Sequence, residues 1–281
     1  MCPHRERRDA QNRKRAGMSL LELLLASALM SIMAGAMATM AIAVQQSATY
    51  NDGRSAALQH ARVAFERINR MITTAYAAPN HPGVGVYVDT LGSYRYPDTL
   101  IVWHPTGTPA NALGPPQICE CIFYSWDPAS PGSLIEFSAP SDTRTIPLDS
   151  TLQTSSWRAT LNSLKTASTT QKTVLTTLLR PCTVNGSGLP SGMASTRGAV
   201  RFELVTAPTA ANLASYSAGT TTWTNLPWPQ GMCGSQFGIR EVWVRTELQL
   251  MPSQKAGQAD PTGQLPLPFF GSATLYYQMT P

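Results

Sequence analysis

The sequence predicts an α+β chain: one long N-terminal helix, membrane-spanning in its first half, packed on a C-terminal antiparallel β-sheet domain. Three observations predict it. Residues 18 to 78 contain no proline, whereas 21 of the 22 prolines lie from Pro79 onward, so the chain changes character there. Leu23 to Val44 is an apolar run of 22 residues, and no charge appears until Asp52. About 20 such residues span a bilayer as a helix. Near the C-terminus, Val242, Val244, Leu248 and Leu250 alternate with Trp243, Arg245, Glu247 and Gln249, the period of a half-buried antiparallel strand.

The head of the helix reads Arg13-Lys14-Arg15-Ala16-Gly17-Met18-Ser19-Leu20-Leu21-Glu22. A carboxylate just inside an apolar span is unfavourable by about 2.5 to 3.5 kcal/mol on insertion scales, so Glu22 calls for a partner. A cut after Gly17 would supply one, because Met18 would become a free amine four residues from Glu22. This arrangement resembles the signature of type IV prepilins and type II secretion pseudopilins: a basic leader, Gly at its last position and Glu at the fifth mature position. Met18 stands where Phe is commoner. The resemblance covers roughly residues 10 to 76. It implies cleavage after Gly17 by a membrane prepilin peptidase and methylation of the Met18 amine. It also implies that Glu22 meets the amine of a neighbouring subunit during assembly.

A secretory signal peptide also begins basic and continues apolar, and Ala36-Met37-Ala38 and Ala41-Ile42-Ala43 offer small-x-small cleavage patterns. The 22-residue run is too long for its apolar region, which spans about 7 to 15 residues. A plain single-span anchor leaves Gly17 and Glu22 unexplained. The expected organisation is therefore a leader over 1–17, a transmembrane half-helix over 18–44, an amphipathic half over 45–78 and an exported β-rich domain over 79–281.

Charge agrees with that division. The formal net charge of +5 splits into +4 over residues 1–17, +1 over 18–76 and zero over 77–281. The basicity belongs to the leader, where it holds the N-terminus on the cytoplasmic side. The zero net charge over residues 77–281 counts against nucleic acid as a partner. Cys2 would leave with the leader, and the remaining Cys119, Cys121, Cys182 and Cys233 form an even set of candidate disulfide cysteines in an oxidising space. A four-thiolate zinc site is the competitor, weakly supported by the C-x-C spacing.

Beyond the span, Leu58, Ala61, Phe65, Ile68 and Ile72 recur at spacings of three and four, the stripe of an amphipathic helix ending near Tyr76. From Met18 that helix would be about 90 Å long. Small residues around Gly35 suit close approach of neighbouring membrane helices. Strands are predicted over Val84–Val88, Thr99–His104, Gln117–Trp126, Ser133–Ser138, Gly198–Thr206, Gly238–Leu250 and Gly271–Met279, with helical stretches over Trp157–Lys165 and Thr170–Leu179. A helix covered by a following antiparallel sheet is an α+β layer arrangement. It is also the pilin fold, and the tract Pro97 to Val102 looks like the first strand region of minor pilins of the W and J types.

His60, His81 and His104 form no H-E-x-x-H, and no nucleophile elbow, P-loop or dinucleotide fingerprint appears. No catalytic residue, metal or cofactor is expected. The tract Thr222 to Cys233 carries Trp223 and Trp228 among turn formers; it reads as a loop pinned by buried indoles and a disulfide, or as a partner-binding loop.

These readings converge on a minor pilin or pseudopilin precursor, single-pass in the inner membrane with a cytoplasmic leader and a periplasmic domain, then part of a type IV pilus or type II secretion pseudopilus. Its expected partners are prepilin peptidase, other pilin or pseudopilin subunits, an inner-membrane assembly platform and membrane lipid. The alternatives are a DNA- or surface-binding module on such a fibre and a membrane-anchored periplasmic enzyme.

Overall fold

The computed structural model describes residues 19–79, 81–91, 94–148, 150–183, 196–252 and 265–281. By its internal contacts the chain divides into two units, residues 1–51 and 52–281. The described chain begins with α1 (Leu20–Thr73), followed by antiparallel sheets, which is the α+β arrangement predicted.

In the second unit, α1 buries Ala57, Ala61, Ala64, Ile68, Met71 and Ile72 at spacings of three and four. The stripe is rotated from the predicted one, with Leu58 58% exposed and Phe65 only partly covered. Alanine at the first three buried positions leaves room for the sheets to approach the helix axis. The helix stops three residues before Tyr76 because the Thr73 and Thr74 hydroxyls both donate to the Arg70 carbonyl, and the Tyr76 amide donates instead to Trp103 O at 2.8 Å.

Five consecutive strands form an antiparallel meander: β1 (Val84–Leu91), β2 (Tyr94–Trp103), β3 (Cys121–Asp127), β4 (Ser130–Ser138) and β5 (Gln171–Thr176). A short pair, β6 (Pro181–Thr183) and β7 (Thr196–Gly198), precedes a three-stranded sheet with β9 (Ile239–Leu250) between β8 (Val200–Ala207) and β10 (Leu267–Gln278). The remaining helices are α2 (Ser155–Thr166), α3 (Ala210–Ser217) and α4 (Gly231–Phe237).

Two apolar clusters explain the strand sequences. The first joins the buried face of α1 to Leu100, Val102, Tyr124 and Leu134 of the five-stranded sheet and to Val242, Val244, Leu248 and Leu250 of β9. The second, on the opposite face of the five-stranded sheet, joins Ile101, Trp103, Phe123, Ile135 and Phe137 to Leu161 and Leu164 of α2. The central strands are thus buried on both faces, which is why Thr99 to Trp103 reads as an almost unbroken apolar run while β9 alternates.

Two expectations are corrected. Thr170–Leu179 is not a helix: Thr173, Val174 and Thr176 are β-branched and pair with the free edge of β4 as β5. The strand expected from Gln117 begins only at Cys121, after a 3-10 turn over Ile118–Glu120 in which the Glu120 carboxylate accepts the Gln117 amide at 3.0 Å. Helices α3 and α4 were unforeseen. Their local signals are a reciprocal Thr209–Asn212 cap and a left-handed Gly238 that ends α4.

Candidate assembly site

Ser19 has the free hydroxyl that the head of an apolar helix needs. Its Oγ accepts the Glu22 amide at 3.2 Å, and its own amide donates to Glu22 Oε2 at 2.9 Å. Ser-x-x-Glu is a capping box, in which two amides at the helix start, otherwise without intrahelical partners, are satisfied reciprocally. Glu22 therefore sits in the first turn of α1 with its carboxylate folded back toward the helix start, where the macrodipole favours negative charge. Gly17 and Met18, the expected cleavage pair, lie outside the described residues.

From Leu23 to Val44, α1 presents only apolar side chains and hydroxyls that bond back to their own helix. Ser27 donates to Leu24 O, Ser31 to Ser27 O, Thr39 to Ala36 O and Thr49 to Gln45 O, all at 2.8–2.9 Å. Such back-bonding lets a polar residue enter lipid without an orphan donor. The helix is long and apolar enough to cross a membrane, and its most apolar stretch is exposed. It is suited to serve as a membrane anchor.

The cysteines do not behave as one set. All four are free thiols in this structure. Cys121, at the start of β3, is buried in the second apolar cluster, and burial pushes its thiol well above the ordinary range. Cys119 sits in the preceding 3-10 turn, half-covered, 3.4 Å from Gln117 Oε1. The turn thus separates the C-x-C pair into different surroundings. Cys182 is half-covered on β6 and Cys233 exposed on α4. Among the described residues no three His, Cys, Asp or Glu side chains gather as metal ligands.

The tract from Thr222 is pinned by its indoles. Trp223 Nε1 donates to Ser235 O at 2.7 Å and Trp228 Nε1 to Trp223 O at 2.8 Å, with ring centroids 4.6 Å apart. Trp228 and Leu226 are buried, so these side chains hold the loop together.

One buried constellation escaped the sequence reading. Arg197 on β7 pairs with Asp89 of β1 and, at 3.0 Å, with Asp98 of β2, while Arg158 of α2 pairs with the other oxygen of Asp89. Trp126 Nε1 donates to Asp98 Oδ2 at 2.6 Å. Lys165 of α2 reaches Thr99 Oγ1 at 3.2 Å and lies 5.3 Å from the Trp126 ring centroid. Burial holds the Lys165 ammonium below its usual range, with Asp98 opposing that shift. The five charged groups come from three strands and a helix far apart in the chain, so no local spacing announces them.

Residues 12–38 match the family model of the prokaryotic N-terminal methylation motif. The match spans the junction of the basic N-terminal residues with the apolar helix, and the chain is prepilin-like there. A prepilin-type precursor is processed by a prepilin peptidase and assembled with other pilin subunits into pili or pseudopili. No curated protein and no solved structure shows significant similarity to the chain.

Proposed function

We propose that this chain is a minor pilin or pseudopilin precursor, cut after Gly17, methylated on the Met18 amine and inserted through Glu22 into a type IV pilus or a type II secretion pseudopilus. The observation that carries the reading is the methylation motif over residues 12–38, lying where leader charge gives way to the capped, lipid-compatible head of α1. The apolar helix stores the subunit in the bilayer. Extraction becomes tolerable when neighbouring helices rebury the same surface in the fibre. The periplasmic domain, about 200 residues, is large for a shaft subunit and favours a minor one. The reading assigns the chain no catalysis.

N-terminal mass spectrometry of the membrane-extracted protein tests the processing step. The expected mature chain begins at a methylated Met18, and Gly17→Val leaves the precursor intact because a β-branched side chain obstructs the peptidase. A chain starting near Val44 would show a secretory signal peptide instead.

A further inference from the structure

The sheets of the second unit treat their edges unequally. On the outer edge of β1, the Gln153 side-chain amide donates to Val86 O and accepts from Val88 N, both at 2.8 Å, taking the place of a neighbouring strand. Arg158 binds Thr90 O further along. The outer edge strand β5 is six residues long, polar in its first half and carries Lys172. Strand β8 carries Arg201 and Glu203 and packs beside β2. These are the devices by which proteins blunt strand edges.

Strand β10 lacks nearly all of them. It is twelve residues long with no charged residue, and its register with β9 runs from Leu267↔Leu250 to Gln278↔Ile239 without a bulge. Among the described residues the three-stranded sheet ends at β10. Its only blunting feature is Pro268, at the second position. Phe270 and Tyr276, on the face turned from α1, are 56% and 54% exposed. On the covered face the Phe65 ring of α1 presses against Gly271, so the strand is backed by a rigid helix rather than free to twist away.

We propose that the outer edge of β10 is a docking edge that accepts an uncharged extended strand, rich in β-branched or aromatic residues, from a different subunit of the fibre. Twelve residues present about 40 Å of edge, and the outward amides and carbonyls of alternate residues, which meet no partner strand among the described residues, call for another backbone at strand spacing. The absence of charge selects the occupant, because an incoming carboxylate or ammonium would find no counterpart along the edge. A second copy is disfavoured. Antiparallel β10-to-β10 pairing is two-fold and would reverse the two α1 helices, whereas subunits inserted from one membrane carry them in the same direction. This choice of partner rests on the fibre-subunit reading.

The test places benzoylphenylalanine at Tyr276, with Val174 on β5 as the comparison position, in the full chain expressed with its assembly system. After irradiation of intact cells, adducts are identified by mass spectrometry. The expected result is an adduct from position 276 to an uncharged strand of another prepilin-like subunit, reduced about tenfold by Ser272→Lys, a charge on the same edge. Ser272 is exposed, and unchanged thermal unfolding verifies that the variant is folded. Position 276 yielding no more adduct than position 174, or adducts only to a second copy, would overturn the proposal. Incorporation into sheared fibres, scored separately, reports on the fibre-subunit reading.

Discussion

Arg67 grips Glu136 with two nitrogens: Nε donates to Oε2 and Nη2 to Oε1, each at 2.7 Å, while the Tyr124 hydroxyl donates to Oε2 at 2.9 Å. The fork fastens α1 to β4 of the five-stranded sheet. Burial would raise the Glu136 carboxyl, but the hydrogen bonds from Arg67 and Tyr124 prevail and hold it below the usual carboxylate range. A depressed folded value means the contribution is present above the unfolded value of 4.5 and is lost as pH falls through the folded one. Since the Arg67 side chain is 42% exposed, solvent screening keeps the pair modest. Glu136→Gln is expected to cost about 1 kcal/mol at pH 7, and that difference should shrink under acid. Thermal unfolding of the two proteins at pH 7 and pH 3 measures it; a gap that widens in acid contradicts the assignment.

The buried cluster makes opposite forecasts for two of its cations. Arg197→Met leaves Asp98 without its paired cation and Asp89 with Arg158 only, and is expected to destabilise by about 3 to 5 kcal/mol. Lys165→Met keeps the Asp98–Arg197 pair and fills the space of the lysine stem, so its effect should stay within about 1.5 kcal/mol. Because burial lowers the folded Lys165 value, the unfolded chain binds more protons at alkaline pH. Wild-type stability should therefore rise relative to Lys165→Met as pH climbs toward 10.5. Denaturant titrations at neutral and alkaline pH give both quantities, and equal losses for the two variants would refute the distinction.

At the helix head, one pair of variants separates capping from charge. Glutamine serves a capping box as well as glutamate does, so Glu22→Gln retains the cap on Ser19 and removes only the negative charge. If assembly needs that charge, Glu22→Gln is cut and inserted yet absent from fibres. Ser19→Ala weakens the cap by about 1 kcal/mol and leaves the carboxylate, so it should still be incorporated. Immunoblots of cleavage beside sheared fibres decide the matter. Normal incorporation of Glu22→Gln would reduce the residue to a cap.

The thiols should react in order of access. Cys233 is expected to alkylate fastest under native conditions, and Cys121 only on unfolding, because burial both shields it and disfavours its thiolate. In a non-reducing peptide map of the folded protein Cys121 is expected to appear as the free thiol. Recovery of Cys121 in a disulfide would mean that β3 rearranges at its first residue.

What the amino-acid order determined by itself was whatever depends on neighbours in the chain. Helix α1 was legible because a proline-free, charge-free run has only one way to satisfy its backbone in lipid, and the Gly17–Glu22 spacing is likewise local. Strand β9 was legible because one buried face imposes alternation. Tertiary structure alone decided which face of α1 is covered: two sheets pack on the alanine stripe and leave Leu58 in solvent. It alone made Thr170 onward a strand, since the open edge of β4 offered hydrogen bonds that outweigh helix propensity. It alone gathered Asp89, Asp98, Arg158, Lys165 and Arg197, because a buried charge is tolerated only where opposite charges from distant segments meet it, and sequence distance carries no record of that meeting.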